Sequence, residues 1–172
     1  VFCSFNNIAK LNVPTLERWG RILAAVPGAR LRLKAATLNF PETVDRVLDA
    51  CERAGIDAGN VELQGWIAER TSHLAQYDDV DIALDTDPYN GTTTTCEALW
   101  MGVPVVTLEG GVHMSRVGAS LLSAVGLDDC VACDAQAYER IAIALAHDGA
   151  RRRQLRASLR ERLRASPLLD HA

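Results

Sequence analysis

Apolar positions along the chain switch back and forth between a strand period and a helix period. Short apolar or alternating runs stand at 2–5, 30–35, 61–65, 80–84, 103–108 and 130–132, and each reads as a strand. Between them, segments 14–26, 41–54, 68–77, 113–125 and 134–147 repeat apolar residues at helical spacing, as do the threonines and the residues after them as far as Met101. Pro14 suits a first helical position, with Leu16, Trp19, Ile22 and Leu23 on one face. Pro27-Gly28, Gly55, Gly102 and Gly126 supply the stops. A last helix, 151–165, places Leu155, Leu159 and Leu163 four residues apart. Six strands alternating with helices predict an α/β domain built on a doubly wound, Rossmann-like parallel sheet.

One stretch breaks a local rule. The strand 80–84 runs into Asp85-Thr86-Asp87-Pro88-Tyr89-Asn90-Gly91, then into Thr92-Thr93-Thr94-Thr95-Cys96-Glu97 at a helix start. Pro88, Asn90 and Gly91 are turn residues, and a threonine hydroxyl is expected to cap the helix. Capping needs one hydroxyl, yet four β-branched residues stand together at some cost in helix propensity. Such a conflict points to function. A strand that delivers a Gly-Thr turn onto a helix N-terminus is suited to bind an anion. Glu97 falls one turn inside, on the face of Thr93 and Thr94, where a carboxylate can take the two hydroxyls of a ribose.

Composition narrows the picture without redirecting it. The 172 residues are 48% hydrophobic and 23% charged, enough for the core of one domain or one lobe of a larger enzyme. A net charge of −4 argues against general nucleic-acid binding, and the seven arginines of 151–165 read as a solvated or domain-facing side. No apolar run has the length of a membrane span, no signal peptide is evident, and a cytoplasmic location is expected. The abrupt start on a strand suggests a cut within a longer protein. Five cysteines, an odd number lying mostly in apolar segments, read as reduced core thiols. Cys130 and Cys133 have redox or zinc spacing but lack a second ligand pair and fall on a strand, so they read as structural.

Ligands of doubly wound sheets sit outside the carboxyl ends of the strands. Four loops there, 6–10, 66–73, 90–97 and 110–116, offer Lys10, Arg70, His73, the threonines, Glu97, His113 and Arg116. The set suits a nucleoside diphosphate, whereas the glycine fingerprints of dinucleotide and P-loop sites are absent. Lys10, four residues past a strand end, has no evident structural duty. His73 is as well explained by packing as by a ligand, and Arg116 equally by a phosphate or a carboxylate partner. Asp78, Asp79 and Glu109 read as solvated charges, and Trp19 and Trp100 as core.

The segments Phe5-Asn6-Asn7-Ile8-Ala9-Lys10, Leu84 to Pro104 and Ser115-Arg116-Val117-Gly118-Ala119-Ser120 together resemble the O-GlcNAc transferase and SPINDLY group of protein O-glycosyltransferases. The resemblance spans nearly the whole chain and implies that residues 1–172 form a single nucleotide-sugar-binding lobe, the C-terminal half of a GT-B glycosyltransferase. An N-terminal catalytic lobe and tetratricopeptide repeats would lie elsewhere in the protein. It implies that Lys10 contacts the diphosphate and stabilises the leaving nucleotide, with Asn7 on the same edge. Ala68 and Arg70 would flank the base, Arg70 replacing the family's lysine, and His73 would lie near the nucleotide. Thr92, Thr93 and Thr94 would cradle the diphosphate, and Glu97, replacing an aspartate, would bind ribose.

The implied reaction moves a sugar from UDP-GlcNAc to a Ser or Thr hydroxyl of a protein acceptor, with no metal or other cofactor required. O-GlcNAc transferases commonly have histidine at the position of Thr92, and the Thr-Thr-Thr-Thr-Cys-Glu form is closer to the SPINDLY branch, whose plant members use GDP-fucose. A noncatalytic nucleotide-binding or protein-interaction domain of the same fold is the alternative, and a lipid- or small-molecule-directed glycosyltransferase a weaker third.

Overall fold

A computed structural model of the protein describes residues 1–170; the last two residues of the 1–172 lobe expected from sequence lie outside them. Six parallel strands make one sheet: β1 (Phe2–Ser4), β2 (Leu31–Lys34), β3 (Val61–Gln64), β4 (Ile82–Leu84), β5 (Val105–Leu108) and β6 (Val131–Ala132). Their order is β3-β2-β1-β4-β5-β6, so the winding reverses between β1 and β4. The crevice at such a reversal is where α/β sheets receive ligands. Burial of the inner strands explains their near-continuous apolar runs: Phe2, Cys3, Leu31, Leu33, Ile82, Leu84, Val105 and Val106 all lie in the core, while the edge strand β3 is half-buried.

The helices are α1 (Val13–Ala25), α2 (Pro41–Arg53), α3 (Arg70–Ala75), α4 (Thr93–Trp100), α5 (Val117–Ala124), α6 (Ala135–His147) and α7 (Gly149–Arg164). α1 packs against α2 and α6, and α4 against α5 and α7. Asn12, a residue ahead of α1, caps it by accepting from the Thr15 N–H at 2.9 Å, and Asp134 does the same for α6 through the Ala137 N–H at 2.7 Å. Trp19 is fully buried and donates to the Tyr138 hydroxyl at 3.3 Å; that hydroxyl donates to the Asp85 carbonyl at 2.9 Å. Two helices are thereby pinned to the loop that leaves β4.

Leu155, Leu159 and Leu163 bury the spaced face of α7. From the same helix Arg156 donates to the carbonyls of Tyr77 (3.1 Å), Met101 (2.9 Å) and Val80, and Arg160 donates to that of Trp100 (2.7 Å). Among the described residues, no helix is long and apolar enough to cross a membrane.

Several sequence expectations need correcting. The helix expected over 68–77 is only Arg70–Ala75, because the Glu69 carboxylate accepts from the N–H groups of Thr71 (3.2 Å) and Ser72 (2.9 Å) and starts it later. The helix expected over 113–125 divides into a 3-10 turn (His113–Ser115) and α5, since the Ser115 hydroxyl turns back onto the Val112 carbonyl at 2.9 Å. Trp100 is 36% exposed under Arg160, whose guanidinium stands 5.2 Å from its ring; the buried residues of α4 are Thr95, Ala98 and Leu99. Asp79 is not merely solvated: it holds both Nη atoms of Arg32, at 2.6 and 2.8 Å. Cys3, Cys51 and Cys130 are buried thiols, whereas Cys133 is exposed, one residue past β6.

Candidate functional site

The site begins with a buried carboxylate. Asp85, the first residue past β4, is 2% exposed. Its Oδ1 accepts from the N–H groups of Gly91 (2.7 Å) and Thr86 (2.9 Å) and from Asn6 Nδ2 (3.3 Å), and its Oδ2 accepts from the Thr107 hydroxyl (2.8 Å). Burial still pushes this carboxyl up to about 6, against the lowering pull of those four donors. Asp85 curls the 85–91 loop around one point. Asn90 closes it, donating to the Thr86 carbonyl at 2.9 Å and accepting from the Gly118 N–H at 3.1 Å. A Cβ added to Gly91 would lie 2.5 Å from Thr94 Oγ1 and 2.7 Å from Asn6 Oδ1, so only glycine fits this approach.

The loop ends at α4, and here one expectation fails. Thr92 occupies the N-cap position with φ −112° and ψ −71°, and its hydroxyl makes no cap. Without the extended backbone that a capping side chain needs, the first-turn N–H groups keep no hydroxyl partner from Thr92. Thr92 and Thr93 are exposed. Thr94 turns its hydroxyl to Asn6 Oδ1 at 2.9 Å, tying the α4 terminus to the loop after β1, and Thr95 donates to the Gly91 carbonyl at 3.1 Å. Two threonines therefore build the loop and two face outward.

Lys10 sits across from this terminus, at the end of a 3-10 turn (Ile8–Lys10) started by Asn7, whose Oδ1 accepts from the Ala9 N–H at 2.9 Å. The ammonium donates to the Asn90 carbonyl at 2.8 Å and lies 4.0 Å from the centroid of the Tyr89 ring. One of its three donors is thus committed, to the loop that leads into α4. Partial burial lowers its pKa, with the Asp85 charge opposing. Lys10 thus meets the loop that runs into the exposed Thr92 and Thr93 at the start of α4.

Glu97 accepts at Oε2 from His73 Nε2, 3.0 Å away, which joins α4 to α3. His73 Nδ1 in turn meets the ammonium of Lys34, the last residue of β2. Lys34 was missed in the sequence because it reads as one position of an alternating strand; its signal was a cation at a strand's carboxyl end. Burial lowers its pKa, and the Glu97 charge opposes that shift. Ala68, on the approach to α3, and Arg70, its first residue and one turn before His73, are exposed. No described contact ties those two to the α4 terminus. His113 is exposed on the far loop, and Arg116 pairs with Glu109 at 3.1 Å, so its partner here is a carboxylate.

The whole chain, residues 1–172, matches the profile of Glycosyl transferase family 41. The chain belongs to that family. A probable UDP-N-acetylglucosamine–peptide N-acetylglucosaminyltransferase SPINDLY of Petunia hybrida is 46% identical over 171 residues, covering 99% of this chain and 18% of the relative. A UDP-N-acetylglucosamine–peptide N-acetylglucosaminyltransferase of Caenorhabditis elegans is 33% identical, covering 99% and 14% respectively. A solved structure of a mutant Thermobaculum terrenum O-GlcNAc transferase superposes with a TM-score of 0.90 at 44% identity, over 95% of this chain and 31% of the other. The family 41 chain therefore spans about a fifth of the length of the curated relatives it matches. The resemblance to the O-GlcNAc transferase and SPINDLY group, with its Rossmann-like GT-B fold, holds across the chain.

Proposed function

We propose that this family 41 chain is the nucleotide-sugar-binding lobe of a protein O-glycosyltransferase. One observation carries the reading: a lysine held on the loop that leads into α4, whose N-cap residue Thr92 makes no side-chain cap, with a partly exposed carboxylate one turn further along the same helix. A diphosphate would lie between Lys10 and the α4 terminus, against Thr92, Thr93 and Thr94, with Asn7 on the same edge. The ribose would meet Glu97, with His73 behind it, and the base would lie beside Ala68 and Arg70. As the sugar leaves, negative charge develops on the diphosphate; a fixed cation and a helix dipole end stabilise it there without reorganisation.

The donor is UDP-GlcNAc on this reading, since the relatives' names specify UDP-N-acetylglucosamine. Thr92, standing where O-GlcNAc transferases commonly have histidine, favours GDP-fucose as the second donor. The acceptor is a Ser or Thr hydroxyl of a protein, held by a second lobe, and tetratricopeptide repeats would present it.

Calorimetric titration with UDP, GDP, UDP-GlcNAc and GDP-fucose tests the reading: one base should bind, and Lys10→Ala should weaken it. Binding of none would refute it. Alone, the chain should transfer no label from either sugar donor to peptide, because a one-sided wall does not position the acceptor against the sugar carbon. Transfer by this chain alone would refute the two-lobe reading, and a longer protein whose transfer survives Lys10→Ala would favour a noncatalytic domain.

A further inference from the structure

Lys34 is a cation buried to 5% exposure, and among the described residues no carboxylate lies within ion-pair distance of it. Its neighbours are the Phe5 ring, 5.7 Å away, and His73 Nδ1. Buried lysines are costly unless partnered, and this one spends its contact on an imidazole. An ammonium has donors only, so the nitrogen it meets must offer a lone pair. The ring proton then sits on Nε2, which is the nitrogen 3.0 Å from Glu97 Oε2. The donor direction runs one way, from Lys34 through His73 to Glu97.

Packing holds the ring itself. Phe5 and Tyr77 lie against His73 with centroids 6.4 Å away in each case, Tyr77 edge-on at 90°. The ring's position is set by those aromatics, and its proton by Lys34 at Nδ1 together with the Glu97 carboxylate at Nε2. If the proton moved to Nδ1, the Nε2 lone pair would face a carboxylate and turn it away.

We propose that Lys34 is a positioning residue for ribose: it holds His73 as the Nε2–H tautomer, which anchors one oxygen of Glu97 and leaves the other aimed at the vicinal hydroxyls of a ribonucleotide. This rests on the reading of Glu97 as the ribose-binding group. It makes preference for ribose over deoxyribose a property of three residues on three elements, one of them beyond reach of the ligand.

The test titrates the protein with UDP and GDP and with their 2′-deoxy forms, and follows the His73 ring nitrogens by ¹⁵N NMR. The wild type should bind the ribonucleotide about ten- to a hundredfold more tightly than its deoxy form, the range for a hydrogen bond to a charged group. In Lys34→Met that ratio should fall to within about threefold through loss of ribonucleotide affinity, and the ring should no longer be the pure Nε2–H tautomer, since nothing then keeps a proton off Nδ1. His73→Gln, whose amide can accept from Lys34 and donate to Glu97, should keep most of the ratio. Should Lys34→Met not fold, Lys34→Gln replaces it, since its amide can face Nδ1 with either atom and no longer dictates the tautomer. A folded Lys34 variant with the wild-type ratio, or with the Nε2–H tautomer intact, overturns the inference and leaves the proposed function standing. A wild type that binds neither nucleotide overturns both.

Discussion

Replacing the Asp85 carboxylate by its neutral isostere should change how stability depends on pH. In the fold this carboxyl is raised from an ordinary 3.8 to about 6 by burial. A raised pKa means that the fold favours the protonated acid, so Asp85 costs stability as pH climbs from 3.8 to 6, and the cost is constant above that. At ~1.4 kcal/mol per pH unit the full effect is roughly 3 kcal/mol. In Asp85→Asn the amide oxygen can keep the Gly91, Thr86 and Asn6 donors, while the amide nitrogen faces Thr107 Oγ1, which can accept. The assay is urea unfolding of both proteins at half-unit steps from pH 3.5 to 7.5. Subtracting the two curves cancels every other titrating group. The Asn protein should gain on the wild type by roughly 3 kcal/mol across the series, with the gain complete by about pH 7. Asp85→Ala leaves two buried backbone N–H groups without an acceptor and should be less stable than Asp85→Asn by about 2–6 kcal/mol. A difference between wild type and Asn that is flat with pH would refute the account of Asp85 as a desolvated acid.

Other expectations follow from the same geometry. Glu97→Ala should weaken nucleoside diphosphate binding about ten- to a hundredfold in a titration while the melting curve stays near wild type, because the side chain is 27% exposed and outside the core. Gly91→Ala forces a methyl against Thr94 Oγ1 and Asn6 Oδ1; nucleotide affinity measured by calorimetry should fall at least tenfold as the loop shifts, and unchanged affinity would argue that the loop does not touch the ligand. Leu159→Ala empties a fully buried position on α7 and should cost about 2–5 kcal/mol by urea unfolding.

The alternation of strands and helices was legible because each element carries its own period, and a buried parallel sheet leaves long apolar runs. So was the contact of the Lys10 loop with the loop after β4, since topology alone sends both to the same crevice. The pairing of side chains was not. Lys34 and His73 are 39 positions apart and His73 and Glu97 are 24 apart, and their contact depends on where β2, α3 and α4 stop, a matter of one or two residues. Trp100 failed for a related reason: on a helix of only two turns, an apolar residue one position beyond the buried Leu99 falls outside the packed face. Asp85 was visible as an acid at a strand end, but nothing local says that four donors converge on it.

The guanidinium groups that α7 lays on the carbonyls of Trp100 and Met101 have an electrical consequence. They sit at the negative pole of α4, where fixed positive charge offsets the partial charge of the last carbonyls. The opposite pole, about 12 Å away along eight residues, is the uncapped end beside Lys10. A short helix facing both poles to its surroundings presents a weak, self-cancelling field at distance. With one pole neutralised, α4 approximates a lone positive pole of about half an elementary charge at the crevice. The arginines of the last helix, bound at its far end, would in this sense strengthen the pull of that terminus on an anion.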